Sequence, residues 1–133
     1  MAAESTQMQQ AQLAAILGQD PAPFETLISH LMSSSNEQRS QAESIFNLIK
    51  QTDPNSLALK LAQLLSSSHH VEARAMSAIL LRKQLTRDDS YIWPRLSPAT
   101  QSAIKSVLLS SIQHENSKSI IKKLCDTISE LAS

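Results

Sequence analysis

Arg39-Ser40-Gln41-Ala42-Glu43-Ser44-Ile45-Phe46 recurs in outline as Arg74-Ala75-Met76-Ser77-Ala78-Ile79-Leu80-Leu81. A looser third copy is Ile121-Lys122-Lys123-Leu124-Cys125-Asp126-Thr127-Ile128. The small residues Ala42 and Ser77 stand three places after the anchoring arginine, and apolar residues close each stretch at Ile45-Phe46, Leu80-Leu81 and Ile128. With 3.6 residues per turn, these places share one side of a helix. A small side chain there lets a neighbouring helix approach, while the larger ones fill the seam. The third copy keeps the final apolar position but loses both the arginine and the small residue.

Each copy is the second member of a helix pair, and the punctuation around it is legible. Asp20-Pro21-Ala22-Pro23 opens a helix whose apolar stripe is Phe24, Leu27, Ile28 and Leu31, because proline is tolerated in a first turn where its missing N–H has no partner. Ser33-Ser34-Ser35-Asn36 ends it, and Ser35 with Gln38 reads as a capping box starting a second helix that runs to about Gln51. Asp53-Pro54 repeats the cap-then-proline signal ahead of Leu57, Leu61, Leu64 and Leu65, and a fourth helix follows from about His70 to Leu85. Ser97-Pro98 starts a fifth, with Ile104, Val107, Leu108 and Ile112 as its stripe, and a sixth runs from about Ser117 to Ala132. The spacing of the anchors at 39, 74 and 121 averages about 41, within the roughly 40–47 residues of HEAT and armadillo units. The expectation is an all-α chain: an α-solenoid of about three HEAT-type helical hairpins after a short N-terminal helix or tail. Its divisions are 1–20 for the tail, 21–52 and 53–87 for the first two repeats, and 88–133 for a loop plus the third.

Composition supports that class and excludes others. The chain has 133 residues, one glycine, 41% hydrophobic and 3% aromatic residues, too few turn glycines and aromatics for a sandwich or barrel. Twelve basic residues balance twelve acidic ones, which disfavours a direct nucleic-acid binder. No apolar run reaches the ~20 residues needed to span a bilayer, and no signal-peptide pattern opens the chain. One cysteine, Cys125, forms no internal disulfide and fits a reducing compartment. The reading is a soluble intracellular chain.

Catalytic chemistry finds little purchase. The single glycine, Gly18, rules out a glycine-rich phosphate loop, and neither His-Glu-x-x-His nor Cys-x-x-Cys occurs. His69-His70 invites a metal, but helix neighbours point about 100° apart, so a solvent-facing helix start is expected instead. Cys125 lies beside Leu124 and Ile128, which reads as a buried structural thiol despite His114 as a candidate base. The serine clusters are caps and linkers. Tyr91 and Trp93, in the long connection Arg87–Leu96, are expected to plug a gap in the stack. No enzyme activity, cofactor or metal is expected.

The second helices divide into faces. Ala42, Ile45 and Ile49 face inward and Arg39, Glu43, Asn47 and Lys50 outward, by the 3.6-residue period. In the sixth helix Ile121, Leu124, Ile128 and Leu131 lie inside, with Lys122, Lys123, Asp126 and Glu130 outside. The fourth is apolar almost all round apart from Glu72, Arg82 and Lys83, as a helix flanked on both sides would be. A mixed-charge outward row suits a folded protein partner better than a polyphosphate backbone.

Val71-Glu-Ala-Arg-Ala-Met-Ser-Ala-Ile-Leu-Leu-Arg-Lys-Gln-Leu85 resembles the N-terminal signature of importin-β (karyopherin-β) transport receptors. So do Tyr91-Ile-Trp-Pro-Arg-Leu-Ser-Pro98 and Ala103-Ile-Lys-Ser-Val-Leu-Leu109, while Lys122-Lys-Leu-Cys-Asp126 with Glu130-Leu-Ala132 is similar to the importin-5-like branch. The resemblance covers about residues 21–132 and implies the first HEAT repeats of a longer nuclear import receptor. It implies Ran-GTP as partner on a concave surface carrying Arg39, Glu43, Asn47, Lys50, Arg82, Lys83, Lys123, Asp126 and Glu130. Protein cargo and nucleoporins would bind elsewhere on the longer receptor, which would shuttle between cytoplasm and nucleus. The competing reading is a generic α-solenoid scaffold unrelated to Ran.

Overall fold

The computed structural model describes residues 11–87 and 91–132, and every regular element among them is helical. A helical turn at 11–16, α1, precedes α2 (Ala22–Leu31), α3 (Asn36–Thr52), α4 (Pro54–Ser67) and α5 (Val71–Arg82). A π-helical turn, Lys83–Arg87, extends α5; after a short 3-10 turn, Trp93–Arg95, come α6 (Pro98–His114) and α7 (Lys118–Ala132).

Three N-caps read from sequence are made. The capping box of Ser35 with Gln38 is only half formed, because the Ser35 N–H bonds to Ser33 Oγ at 3.0 Å. At α2 Asp20 instead accepts from the Ala22 N–H at 3.0 Å. Ser35 Oγ accepts from the Gln38 N–H at 3.3 Å, an Asp53 carboxylate oxygen from the Ser56 N–H at 3.2 Å, and Ser97 Oγ from the Thr100 N–H at 3.2 Å. Pro54 and Pro98 follow their caps directly, so the missing N–H falls among donors that lack an intrahelical partner. Each such cap is typically worth about 1 kcal/mol.

Three pairs result: α2 with α3, α4 with α5, and α6 with α7. The second and third lie side by side, α6 on α4 and α7 on α5. The first joins differently. α2 packs across α5, and α3 meets α4 through the tight corner at Asp53, whose N–H bonds to the Ile49 carbonyl at 2.7 Å. One continuous core runs through all three pairs, with Phe24, Ile28, Ile49, Leu57, Leu61, Leu65, Leu81, Leu85, Ile104 and Leu108 essentially fully buried. Ile16 of α1 reaches the same core, and the Lys60 ammonium donates to the Gly18 carbonyl, tying α1 to α4. Lys60 is thereby buried along its stem with its charge satisfied at the tip.

The recurring sequence frame has a structural counterpart. The N–H of each anchor bonds four residues back, Arg39 to Ser35, Arg74 to His70 and Ile121 to Ser117, so the second helices start in the same register. Three places on, Ala42, Ser77 and Leu124 are all buried. Arg39 Nη1 donates to the Ser33 carbonyl and Arg74 Nη1 to the Ser68 carbonyl, both at 3.0 Å. Each arginine thus closes the turn of its own pair by the same bond.

Five expectations need correction. In α7 the fully buried positions are Ile120, Leu124 and Thr127, while Ile121, Ile128 and Leu131 are only half-buried. In α3 the inward positions are Ala42, Phe46 and Ile49, with Ile45 only half-buried. Lys50, expected outside, is buried near the end of that helix. Cys125 is exposed, because it lies on the side of α7 turned away from α5 and α6. The plug in the long connection is Ile92, fully buried, with its N–H on the Gln84 carbonyl at 2.8 Å. Trp93 packs against the core as expected but is only half-buried, beneath Lys105, whose ammonium lies 5.6 Å from the ring centroid, and Tyr91 is exposed.

Candidate partner-binding surface

The residues singled out on the second helices separate into two groups. On α3, Glu43 and Asn47 are exposed, while Arg39 is half-buried, holding the Ser33 carbonyl and the Asn36 side chain. Lys50 lies in the interior and adds no surface charge there. On α5 and α7, by contrast, Arg82, Asp126 and Glu130 form one ion cluster with Arg87 and Thr86.

That cluster is built on the π turn. Continuing α5 with a wider turn brings Thr86 and Arg87 toward α7 beside Arg82. Glu130 Oε1 accepts from Arg82 Nη2 at 2.7 Å and from Arg87 Nη2 at 2.6 Å, and Thr86 Oγ1 reaches the other carboxylate oxygen. Asp126 lies 3.6 Å from Arg82 Nη1. Hydrogen bonds from Arg87, then Arg82 and Thr86, hold the Glu130 carboxyl down to about 2, because each donor favours the charged form. The same contact raises Arg87 above its ordinary value. The expected outward row is therefore no chain of freely solvated charges: three of its members brace α5 against α7.

Sequence reasoning missed two further contacts. Arg74 makes a two-pronged pair with Glu115 at 3.0 and 3.2 Å, linking the turns of the second and third pairs. Burial pushes the Glu115 carboxyl up, but Arg74 and the N–H groups of Ser117 and Asn116 outweigh it and leave it lowered. Glu25 of α2 accepts from Ser68 Oγ at 2.8 Å and contacts His70 Nδ1 at 2.7 Å. Its carboxyl is lowered, chiefly by the His70 hydrogen bond and then by Ser68. The frame did mark Arg74 as a repeated position, but the acid answering it, Glu115, lies 41 residues away, beyond any helical period.

His70 is engaged by Glu25, His114 Nδ1 lies 2.8 Å from the Ser110 carbonyl, and Cys125 is exposed. Among the described residues no three His, Cys, Asp or Glu side chains converge as metal ligands, and no helix is long and apolar enough to cross a membrane. What the surface offers is polar and charged side chains on the helices: Glu43 and Asn47 on α3, Lys83 beside the cluster, and Lys122 and Lys123 on α7. No protein-family model matches the chain.

Proposed function

We propose that this chain is a HEAT-type segment of an importin-like nuclear transport receptor and that exposed residues of its second helices, α3, α5 and α7, engage Ran-GTP. The observation that carries the reading is the common register of the three second helices, with the same arginine-to-turn bond in the first two. Stacked helical pairs that repeat one frame present an extended surface from equivalent helices, and the sequence resemblance to importin-β receptors supplies the partner. Cargo and nucleoporins are assigned to other parts of a longer receptor that shuttles between cytoplasm and nucleus.

The contacts narrow the residues on which this reading depends. Glu43, Asn47, Lys83 and Lys123 are the members of the row free of the Glu130 cluster, outside the core and, unlike Arg39, not committed to closing a turn. Reversing Asp126 or Glu130 would unbrace α5 from α7, so loss of binding there would report on folding as much as on the partner.

Immobilised chain exposed to Ran loaded with a non-hydrolysable GTP analogue or with GDP tests the proposal. At least about tenfold preference for the GTP form is expected, equivalent to ~1.4 kcal/mol. The double variant Glu43→Lys with Lys83→Glu should weaken that binding while leaving the helical circular dichroism unchanged. Equal capture of both nucleotide forms, or of neither, would overturn the Ran reading and leave a helical protein-binding scaffold.

A further inference from the structure

A cavity of about 250 Å³ opens between α5, the π turn and α7, lined by Ile79, Arg82, Lys83, Arg87 and Lys123. Four of those five side chains are cationic, and among the described residues no carboxylate lines it. The larger cavity between α2 and α5, about 450 Å³, has the opposite character, with Glu25 and Glu72 on its walls and no lysine or arginine. The two carboxylates nearest the basic cavity, Asp126 and Glu130, are drawn onto Arg82 and Arg87. Lys83 has no ion-pair partner among the described residues, and Lys123 holds only the Ser119 hydroxyl, at 3.0 Å. Ile79 is 43% exposed, leaving apolar surface amid the four cations.

We propose that this cavity docks an acidic peptide segment carrying one apolar side chain. The argument does not depend on the Ran reading. With the arginine charges met by Asp126 and Glu130, the two lysines supply the attraction for carboxylates, and the arginine forks retain donors beyond those used on Glu130. Exposed ion pairs alone bring little affinity; the apolar contact with Ile79 distinguishes a peptide from a simple anion. The ion cluster fixes the spacing of Arg82 and Arg87 beforehand, so less ordering is needed on binding. Exposed charges are screened by water, so weak affinity is expected.

An amide NMR titration at about 50 mM salt, where charge pairing is only partly screened, tests the site. The probe is the acetylated and amidated pentapeptide Asp-Glu-Leu-Asp-Glu, with Lys-Lys-Leu-Lys-Lys and inorganic phosphate as comparators. Saturable shifts are expected around Ile79, Lys83, Arg87 and Lys123, with a Kd of roughly 0.1–1 mM and no saturation by the basic peptide. Lys83→Glu with Lys123→Glu should weaken binding at least about tenfold, and Ile79→Ser at least about threefold, without loss of helicity. No saturable shifts by the acidic peptide, shifts centred elsewhere, or phosphate binding as tightly as the peptide would each overturn the proposal. An unchanged affinity in the folded Lys83→Glu, Lys123→Glu variant would do the same.

Discussion

The α4/α5 and α6/α7 pairs are built on one frame yet differ in what covers them. Asp53-Pro54 and Ser97-Pro98 align their first helices, and His70 and Ser117 their second. In that alignment Leu64 and Leu108 are both buried, as are Ser77 and Leu124, and Leu80 and Thr127. Other equivalent positions part company. Leu65 is 2% exposed and Leu109 55%, Leu61 is buried and Lys105 exposed, Ala78 is buried and Cys125 exposed. The second pair is covered on that side by the third, and the third has no such cover among the described residues. Burial at these places is thus a property of the neighbour, and at two of the three the residue type follows it, lysine for Leu61 and cysteine for Ala78, while Leu109 stays apolar although exposed.

The largest effect that could break this comparison is at position 65. Leu65→Ala removes methyl groups from a packed interior and should cost about 2–4 kcal/mol, whereas Leu109→Ala should cost less than about 0.5 kcal/mol. Urea unfolding of the two variants measures both. Similar costs would mean that the outer side of α6 is packed after all.

The repeated arginines sharpen the contrast between the two junctions. Arg74→Ala would strand the Glu115 carboxylate, whose side chain is only 4% exposed, with just the N–H groups of Asn116 and Ser117 left to it. A loss of about 2–3 kcal/mol is expected. Arg39 has no carboxylate partner among the described residues and bonds mainly at its own turn, so Arg39→Ala should cost under about 1 kcal/mol. Equal losses would show that the turn bond, and not the link to the third pair, is what Arg74 provides.

A smaller effect comes from Glu130 and carries a pH signature. Its folded carboxyl is held to about 2, below an ordinary 4.5, so its contribution is full above the unfolded value. That contribution fades as pH falls from there through about 2. The shift is nominally worth about 3 kcal/mol. Arg87 is 58% exposed and the cluster is screened by water, so on the order of 1 kcal/mol is expected. Glu130→Gln should lower neutral-pH stability by that amount and flatten the loss between about pH 5 and 2. Thermal unfolding across that range checks it, and a Glu130→Gln profile parallel to the parent would remove the cluster from the stability account.

Much of the fold was legible because local chemistry marks it. Proline after an aspartate or serine cap, serine runs at stripe ends and the 3.6-residue period located α2 to α7 within a few residues. The period could not say which sides of a helix would be covered. Cys125 sits next to Leu124, yet one faces the seam and its neighbour faces water. Lys50 shared an outward position with Arg39 by angle, but lies at the helix end where α3 turns into the core. Ile92 was overshadowed by Tyr91 and Trp93, whose size drew the plug assignment although the smaller side chain fits the gap. The binding surface was least legible. Glu130 finds Arg82 and Arg87 only because α7 lies on α5, and the π turn that brings Arg87 there leaves no mark in an apolar stripe.

The most direct test of the shared frame with unequal cover uses the chain's own cysteine. Cys125 and Ala78 are equivalent positions, one exposed and the other fully buried. A thiol reagent such as Ellman's should modify Cys125 in the folded chain within about tenfold of its rate in denaturant, where the thiolate is freely reached. In the Cys125→Ala background, Ala78→Cys should react at least about a hundredfold more slowly, limited by opening of the third pair from the second. Both thiols should converge to one rate in denaturant. Comparable rates in the folded state, in a variant that keeps its helicity, would contradict the account.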